Sequence, residues 1–198
     1  HLTNRRQRQM CIRDRDILNQ VAAWVEPGDL DLPGYKPTTE PNPKMVQQAS
    51  SLIKKSKKPI LYVGGGIIHS KANNELFELA TKFNIPVVTT LMGRGAFPDG
   101  HELCLEMPGM HGNYTATTSI QNADLLIAIG VRFDDRVTAN PSFFAQNAKV
   151  IHADIDPAEI GKVRDAQVPI VGDAKSVIKG LIEALGDEKL DTENWVSE

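Results

Sequence analysis

Four charged side chains fall in five positions at Arg132, Asp134, Asp135 and Arg136, directly after the uncharged run Leu125-Leu-Ile-Ala-Ile-Gly130. Two arginines beside a glycine turn are suited to bidentate contact with a phosphate or pyrophosphate. The alternative is a surface ion-pair network. Asp134 and Asp135 could also be read as a general acid and base, but adjacent residues of an extended segment face opposite ways, which weakens that reading. A second candidate is Gly64-Gly65-Gly66, where the lack of a Cβ lets backbone N–H groups approach an anion or a ring. It lacks the Gly-x-Gly-x-x-Gly spacing of a dinucleotide dehydrogenase. In His152-Ala-Asp154-Ile-Asp156 the polar side chains alternate onto one face. Metal ligation is one reading; a carboxylate at a strand tip more often accepts hydrogen bonds from ribose hydroxyls, and Asp154 suits that role. His111, in Gly109-Met-His-Gly112, stands at the mouth of a helix whose amides could hold a flat polar ring or a phosphate. No Gly-x-Ser-x-Gly, His-Glu-x-x-His or Walker loop occurs, so hydrolase, zinc protease and P-loop readings have no support.

The elements that must position these groups follow from the apolar pattern. Short uncharged runs predict strands at Pro59–Val63, Ile85–Thr89, Leu125–Gly130, Val150–Ala153 and Val168–Val171. Helical spacing predicts helices from Pro43 to about Lys57, Ala72–Phe83, Asn113–Asn122, a short one near 141–148, Pro157 to about Val163, and Ala174–Leu185. Strand and helix alternate, so the expected fold class is α/β, a doubly wound parallel sheet covered by helices. Each strand ends in residues fit for a ligand: three glycines, Thr90, Gly130 with Arg132, Asp154, and Gly172-Asp173. The ends are expected to converge on one crevice at the carboxyl edge of the sheet.

At 198 residues, 41% hydrophobic and 24% charged, the chain can bury one sizeable core. Residues 1–15 hold five arginines against one acid, whereas the remainder is acidic, which argues against a nucleic-acid surface on the folded part. No apolar stretch is long enough to span a membrane. Cys11 and Cys104 have no metal-ligand spacing, and a reducing, cytoplasmic setting fits them best. Residues 1–15 are expected to be foreign to the fold or disordered. The Pro- and Gly-rich stretch 16–43 reads as an interdomain linker, 44–186 as the domain, and 187–198 as a frayed tail or a linker onward.

Several ordered motifs then carry a family resemblance. Thr89-Thr-Leu-Met-Gly-Arg-Gly-Ala-Phe-Pro98, Met107-Pro-Gly-Met-His-Gly112, Gly130-Val-Arg-Phe-Asp-Asp-Arg-Val-Thr138, His152-Ala-Asp-Ile-Asp-Pro-Ala-Glu-Ile-Gly-Lys162 and Pro169-Ile-Val-Gly-Asp173 resemble the central domain of acetohydroxyacid (acetolactate) synthase catalytic subunits. The similarity covers about Asp16 to Leu185. It implies the Rossmann-like central domain of a thiamine-diphosphate enzyme that condenses two pyruvates, or pyruvate and 2-oxobutyrate, with decarboxylation, on the route to branched-chain amino acids.

The resemblance further implies that this domain binds FAD in a non-redox role. Carried over residue by residue, the flavin nucleotide would contact Gly64, Gly65 and Gly66, Thr90 and Leu91, Met110, His111 and Gly112, Gly130, Arg132, Asp134, Arg136 and Val137, Asp154 and Ile155, and Asp173 with Ala174. Arg136 would also lie at the substrate channel. Arg94 and Ala139 depart from the family pattern, the latter where glycine is frequent. The catalytic glutamate and the magnesium ligands of the family belong to N- and C-terminal domains whose motifs are absent here. No catalytic or metal-ligating residue is therefore expected. Thiamine diphosphate and Mg²⁺ would bind elsewhere, and the chain reads as a fragment of a longer enzyme, inactive alone. The resemblance also implies a homodimer or tetramer and a small regulatory subunit, with no nucleic-acid or membrane partner. A glyoxylate carboligase or pyruvate oxidase domain shares fold and flavin, but Phe133-Asp-Asp-Arg-Val and Met-His-Gly disfavour it; a stand-alone nucleotide-binding domain is the reading from another class.

Overall fold

Asn42 caps the first helix among the described residues. Its side chain accepts from the Lys44 amide at 2.9 Å and Pro43 occupies the first helical turn, so helix α1 runs Pro43–Ile53 and buries Val46, Ala49, Ser50 and Ile53 on one stripe. The helix stops before the expected Lys57. Asp124 accepts from the amides of Lys57 at 2.8 Å and Lys58 at 3.1 Å and from the Ser56 hydroxyl, turning the chain into strand β1, Pro59–Val63.

The coordinates are a computed structural model that describes residues 20–26, 28, 34 and 36–198; the expectation for residues 1–15, and much of that for 16–43, lies outside them. Two units are distinguished, residues 1–35 and 36–198. In the first, residues 20–26 have no regular secondary structure. The second contains the rest of the architecture.

After β1 come α2 (Gly65–His69), α3 (Asn73–Phe83), β2 (Val87–Thr89), α4 (Tyr114–Asn122), β3 (Leu125–Ile129), α5 (Asp135–Thr138), β4 (Lys149–Asp154), β5 (Val168–Val171), α6 (Ala174–Leu185) and α7 (Glu193–Ser197). The strands form one five-stranded sheet in the order β2-β1-β3-β4-β5, parallel throughout. The α/β doubly wound expectation is met. Alternation along the strands divides the core. Leu61, Val63, Ile127, Ile129 and Ile151 face α1, α3 and α6, while Ile60, Tyr62, Leu126, Ala128 and Val150 face α4 and the 131–148 segment. No helix among the described residues is long and apolar enough to cross a membrane.

Four further expectations differ from the structure. Pro157–Val163 forms turns rather than a helix. Asp154 and Asp156 accept from the amides two residues ahead, Gly161 adopts φ +77°, and Ile160 and Val163 offer too small a stripe to bury. The helix near 141–148 contracts to the 3₁₀ turn Pro141–Phe143, because Ala145 takes φ +44° and Phe144 turns into the core. β2 is two residues shorter than expected: the Ile85 amide is still bonded to the Ala80 carbonyl ending α3, and Pro86 has no N–H to give. The tail expected to fray holds α7, with Trp195 buried, its indole N–H donating to the Pro59 carbonyl at 3.0 Å and Lys58 Nζ 4.8 Å from its ring.

Candidate functional site

Strand order reverses at β1, whose two neighbours are β2 and β3. Crossovers therefore leave β1 and β3 in opposite directions and open a crevice at their carboxyl ends. A cavity of about 350 Å³ lies there, lined by Tyr62, Gly64, Gly65, Thr90, Leu91, Met92, Gly130, Val131, Arg132, Asp134, Asp135, Arg136 and Val137.

Its floor is two turns packed backbone on backbone. A Cβ on Gly66 would lie 2.6 Å from the Gly130 Cα, and one on Gly64 would overlap the Gly130 carbonyl oxygen. The amides of Gly64 and Gly66 donate to the carbonyls of Ile129 and Gly130, each at 3.2 Å. The triplet is thus glycine mainly so that β1 and β3 can close on each other. Its central member alone faces the cavity with an amide free of any partner among the described residues, as expected at the first position of a helix. Gly93 closes the third side, since a Cβ there would come 2.8 Å from the Val63 carbonyl oxygen. Thr90 caps the turn Leu91–Gly93, its Oγ1 accepting from the Gly93 amide at 3.1 Å, and Leu91 and Met92 stand exposed at the rim.

The charged segment alternates for a backbone reason. Val131 and Phe133 are buried while Arg132, Asp134, Asp135 and Arg136 are exposed, and Phe133 holds φ +53°, a left-handed conformation uncommon for a bulky residue. Asp134 then caps α5, accepting from the Arg136 amide at 3.0 Å and approaching Arg132 at 3.5 Å. That amide, with the charges of Arg132 and Arg136, holds the Asp134 carboxyl below its ordinary range. The segment is helical from Asp135 onward rather than extended, and Asp134 is committed as a cap and kept ionised. Both guanidinium groups remain accessible at the rim.

Beneath them His152 is buried, with Nε2 2.8 Å from the Val131 carbonyl and its ring edge-on to Phe133 at 5.0 Å. Burial lowers its pKa despite the Val131 carbonyl and the charges of Asp154 and Glu159. The neutral ring props the loop that presents Arg132. Its Nε2 is engaged by the Val131 carbonyl, and among the described residues no cluster of three or more His, Cys, Asp or Glu side chains is placed to hold a metal ion.

Of the residues expected at the site, the cavity gathers Gly64, Gly65, Thr90, Leu91, Gly130, Arg132, Asp134, Arg136 and Val137. Gly66 is packed behind Gly130. Met110, His111 and Gly112 sit beside the cavity, joined to its wall by the Met110 amide donating to the Arg136 carbonyl at 3.2 Å. Asp154, Ile155, Asp173 and Ala174 stand at the tips of β4 and β5, outside the lining. The ends of β1, β2 and β3 share this cavity, and the tips of β4 and β5 continue along the same carboxyl edge beyond its lining. Asp173 caps α6 through the Lys175 amide at 3.0 Å, and Asp154 accepts from the Asp156 amide at 2.9 Å. Sequence reasoning missed Tyr62, Met92 and Val131 as lining residues, whereas Asp135 was singled out by its charge but not among the flavin contacts. The signal for Tyr62 was a single phenol inside an aliphatic strand.

Comparison with known proteins adds to this geometry. Residues 46–181 match the family described as thiamine pyrophosphate enzyme, central domain. The chain is 54% identical over 185 residues to an acetolactate synthase of Mycobacterium avium, an alignment covering 91% of this chain and 30% of the relative. It is 52% identical over 185 residues to the acetolactate synthase large subunit of Corynebacterium glutamicum, covering 92% and 30%. Against the probable acetolactate synthase large subunit of Methanocaldococcus jannaschii it is 52% identical over 186 residues, covering 93% and 31%. The chain thus spans about 30% of the length of these relatives.

Proposed function

The chain belongs to the thiamine pyrophosphate enzyme central-domain family, and from that membership we propose that it is the flavin-nucleotide-binding domain of an acetolactate synthase large subunit. The observation that carries the reading is the cavity at the β1/β3 switch point, whose lining coincides with the central part of the contact set implied by the resemblance.

The residues present fit such a group. Gly65 offers an open amide, and Arg132 and Arg136 offer two cations for a pyrophosphate. The exposed apolar rim of Leu91, Met92 and Met110 suits the face of a ring system. About 350 Å³ accommodates part of a dinucleotide. The remainder would extend along the carboxyl edge past Met110–Gly112 on one side or Asp154, Ile155, Asp173 and Ala174 on the other. Bound there, FAD would supply no redox step; these residues would hold and orient it.

In the same reading the whole enzyme condenses two pyruvates, or pyruvate and 2-oxobutyrate, in the cytoplasm. It does so as a dimer or tetramer with a small regulatory subunit, using thiamine diphosphate and Mg²⁺ held by other domains. The present chain by itself catalyses no condensation.

Titration of FAD into the purified chain, followed by flavin fluorescence, tests the assignment. Saturable binding is expected, weakened about tenfold by Arg132→Ala through loss of a charge-assisted contact. No saturable binding by the wild type, or equal binding by the variant, would sink the flavin reading.

A further inference from the structure

Tyr62 lies on β1 opposite Val88 on one neighbouring strand and Ala128 on the other, and the small Ala128 leaves space for its ring. That ring is fully buried, tilted against Phe133 at 5.6 Å between centroids, and it lines the cavity. Its hydroxyl is buried and finds no hydrogen-bond partner among the described residues. A phenylalanine would fill nearly the same space without the penalty of a desolvated, unsatisfied oxygen. The group thus stands as an unused, enclosed donor on a residue that lines a cavity already furnished with an open amide and two arginines.

We propose that Tyr62 is a ligand-binding residue of this site, its hydroxyl donating a hydrogen bond to a nitrogen or oxygen acceptor of the nucleotide cofactor seated between β1 and β3. The inference rests on the flavin-nucleotide reading above and adds to it a contact that the family motifs did not assign. Burial, and secondarily the nearby Asp134 carboxylate, push the phenol pKa up, so the group stays protonated and available to donate. Asp134 does not take that proton: it accepts from the Arg136 amide and leans on Arg132.

Tyr62→Phe separates a ligand contact from a structural one when thermal midpoint and FAD affinity are both measured on the 198-residue chain. Without ligand the variant is expected to melt at or above the wild-type midpoint, because a partnerless hydroxyl has left the core. Its dissociation constant for FAD is expected to rise about tenfold, as for one lost hydrogen bond. A clear fall in the ligand-free midpoint would overturn the proposal, since the hydroxyl would then have a protein partner. Wild-type binding with unchanged affinity in Tyr62→Phe would overturn it too, yet leave the cavity reading intact. Absence of FAD binding by the wild type fails both together.

Discussion

Gly66 and Gly130 meet so closely that a Cβ on either would lie 2.6 Å from the Cα of the other. This contact joins the end of β1 to the end of β3 and sets the width of the crevice. It also distinguishes three glycines that look alike in sequence.

Gly130→Ala should therefore be strongly destabilising, by about 3 kcal/mol, since it adds overpacking against Gly66 to the cost of a side chain at φ +60°. Gly65→Ala meets the Met92 Cβ at 3.4 Å, the Met92 carbonyl oxygen at 3.5 Å and the His69 ring at 3.9 Å, all at van der Waals distance, and should melt within a few degrees of the wild type while weakening FAD binding, because its methyl stands at the cavity wall. Urea denaturation of the two variants beside a flavin titration checks both halves. Equal stability losses would contradict the distinction.

Ala139 ends α5 at φ +49° and ψ −114°, a conformation that favours glycine. Ala139→Gly is expected to stabilise the protein by about 1 kcal/mol by relieving Cβ strain, partly offset by the greater freedom of glycine in the unfolded chain. A lower thermal midpoint in the variant would show that the backbone is not strained there.

His152 gives the protein a pH dependence of fixed sign. Its folded pKa lies below the ordinary 6.5 because burial disfavours the imidazolium. The unfolded chain therefore binds the proton more readily. The stability that comes from keeping the ring neutral is complete above pH 6.5 and is lost as pH falls below it, towards the lowered folded value. Thermal midpoints taken between about pH 7.5 and 5 should decline for the wild type and decline less for His152→Gln, which starts from a lower value after losing the Val131 contact. Parallel profiles would remove His152 as the cause.

Much of this was legible in the chain itself, and the successes share a cause. The uncharged runs Pro59–Val63 and Leu125–Ile129 announced fully buried strands, because a parallel sheet covered on both faces requires apolar side chains on both; Val168–Val171, at the sheet edge, buries Val168 and Ile170 and leaves Pro169 exposed. Leu76, Leu79, Ala80 and Phe83 announced the buried stripe of α3. Arg132 and Arg136 were recognisable as rim cations from their types and their place after a glycine turn. The failures share a cause as well. Pro157–Val163 has a favourable helix start but no face to bury, and local Asx turns won. Trp195 stood in a polar tail, and only the Pro59 carbonyl and the surface beneath α7 gave it a reason to be buried.

The sequence by itself determined the alternation of strand and helix, the parallel sheet, the family and the residue types at each strand end, because those depend on periodicity, turn chemistry and motif order along the chain. Tertiary structure alone decided which ends share a cavity, since that depends on strand order: β2-β1-β3 brings Thr90, Gly65 and Arg132 together and leaves Asp154 and Asp173 on the far strands. It also decided what each glycine is for, and that Tyr62 lines the cavity with its hydroxyl unpartnered. Those properties come from atoms brought together across the sheet, and no spacing along one strand encodes them.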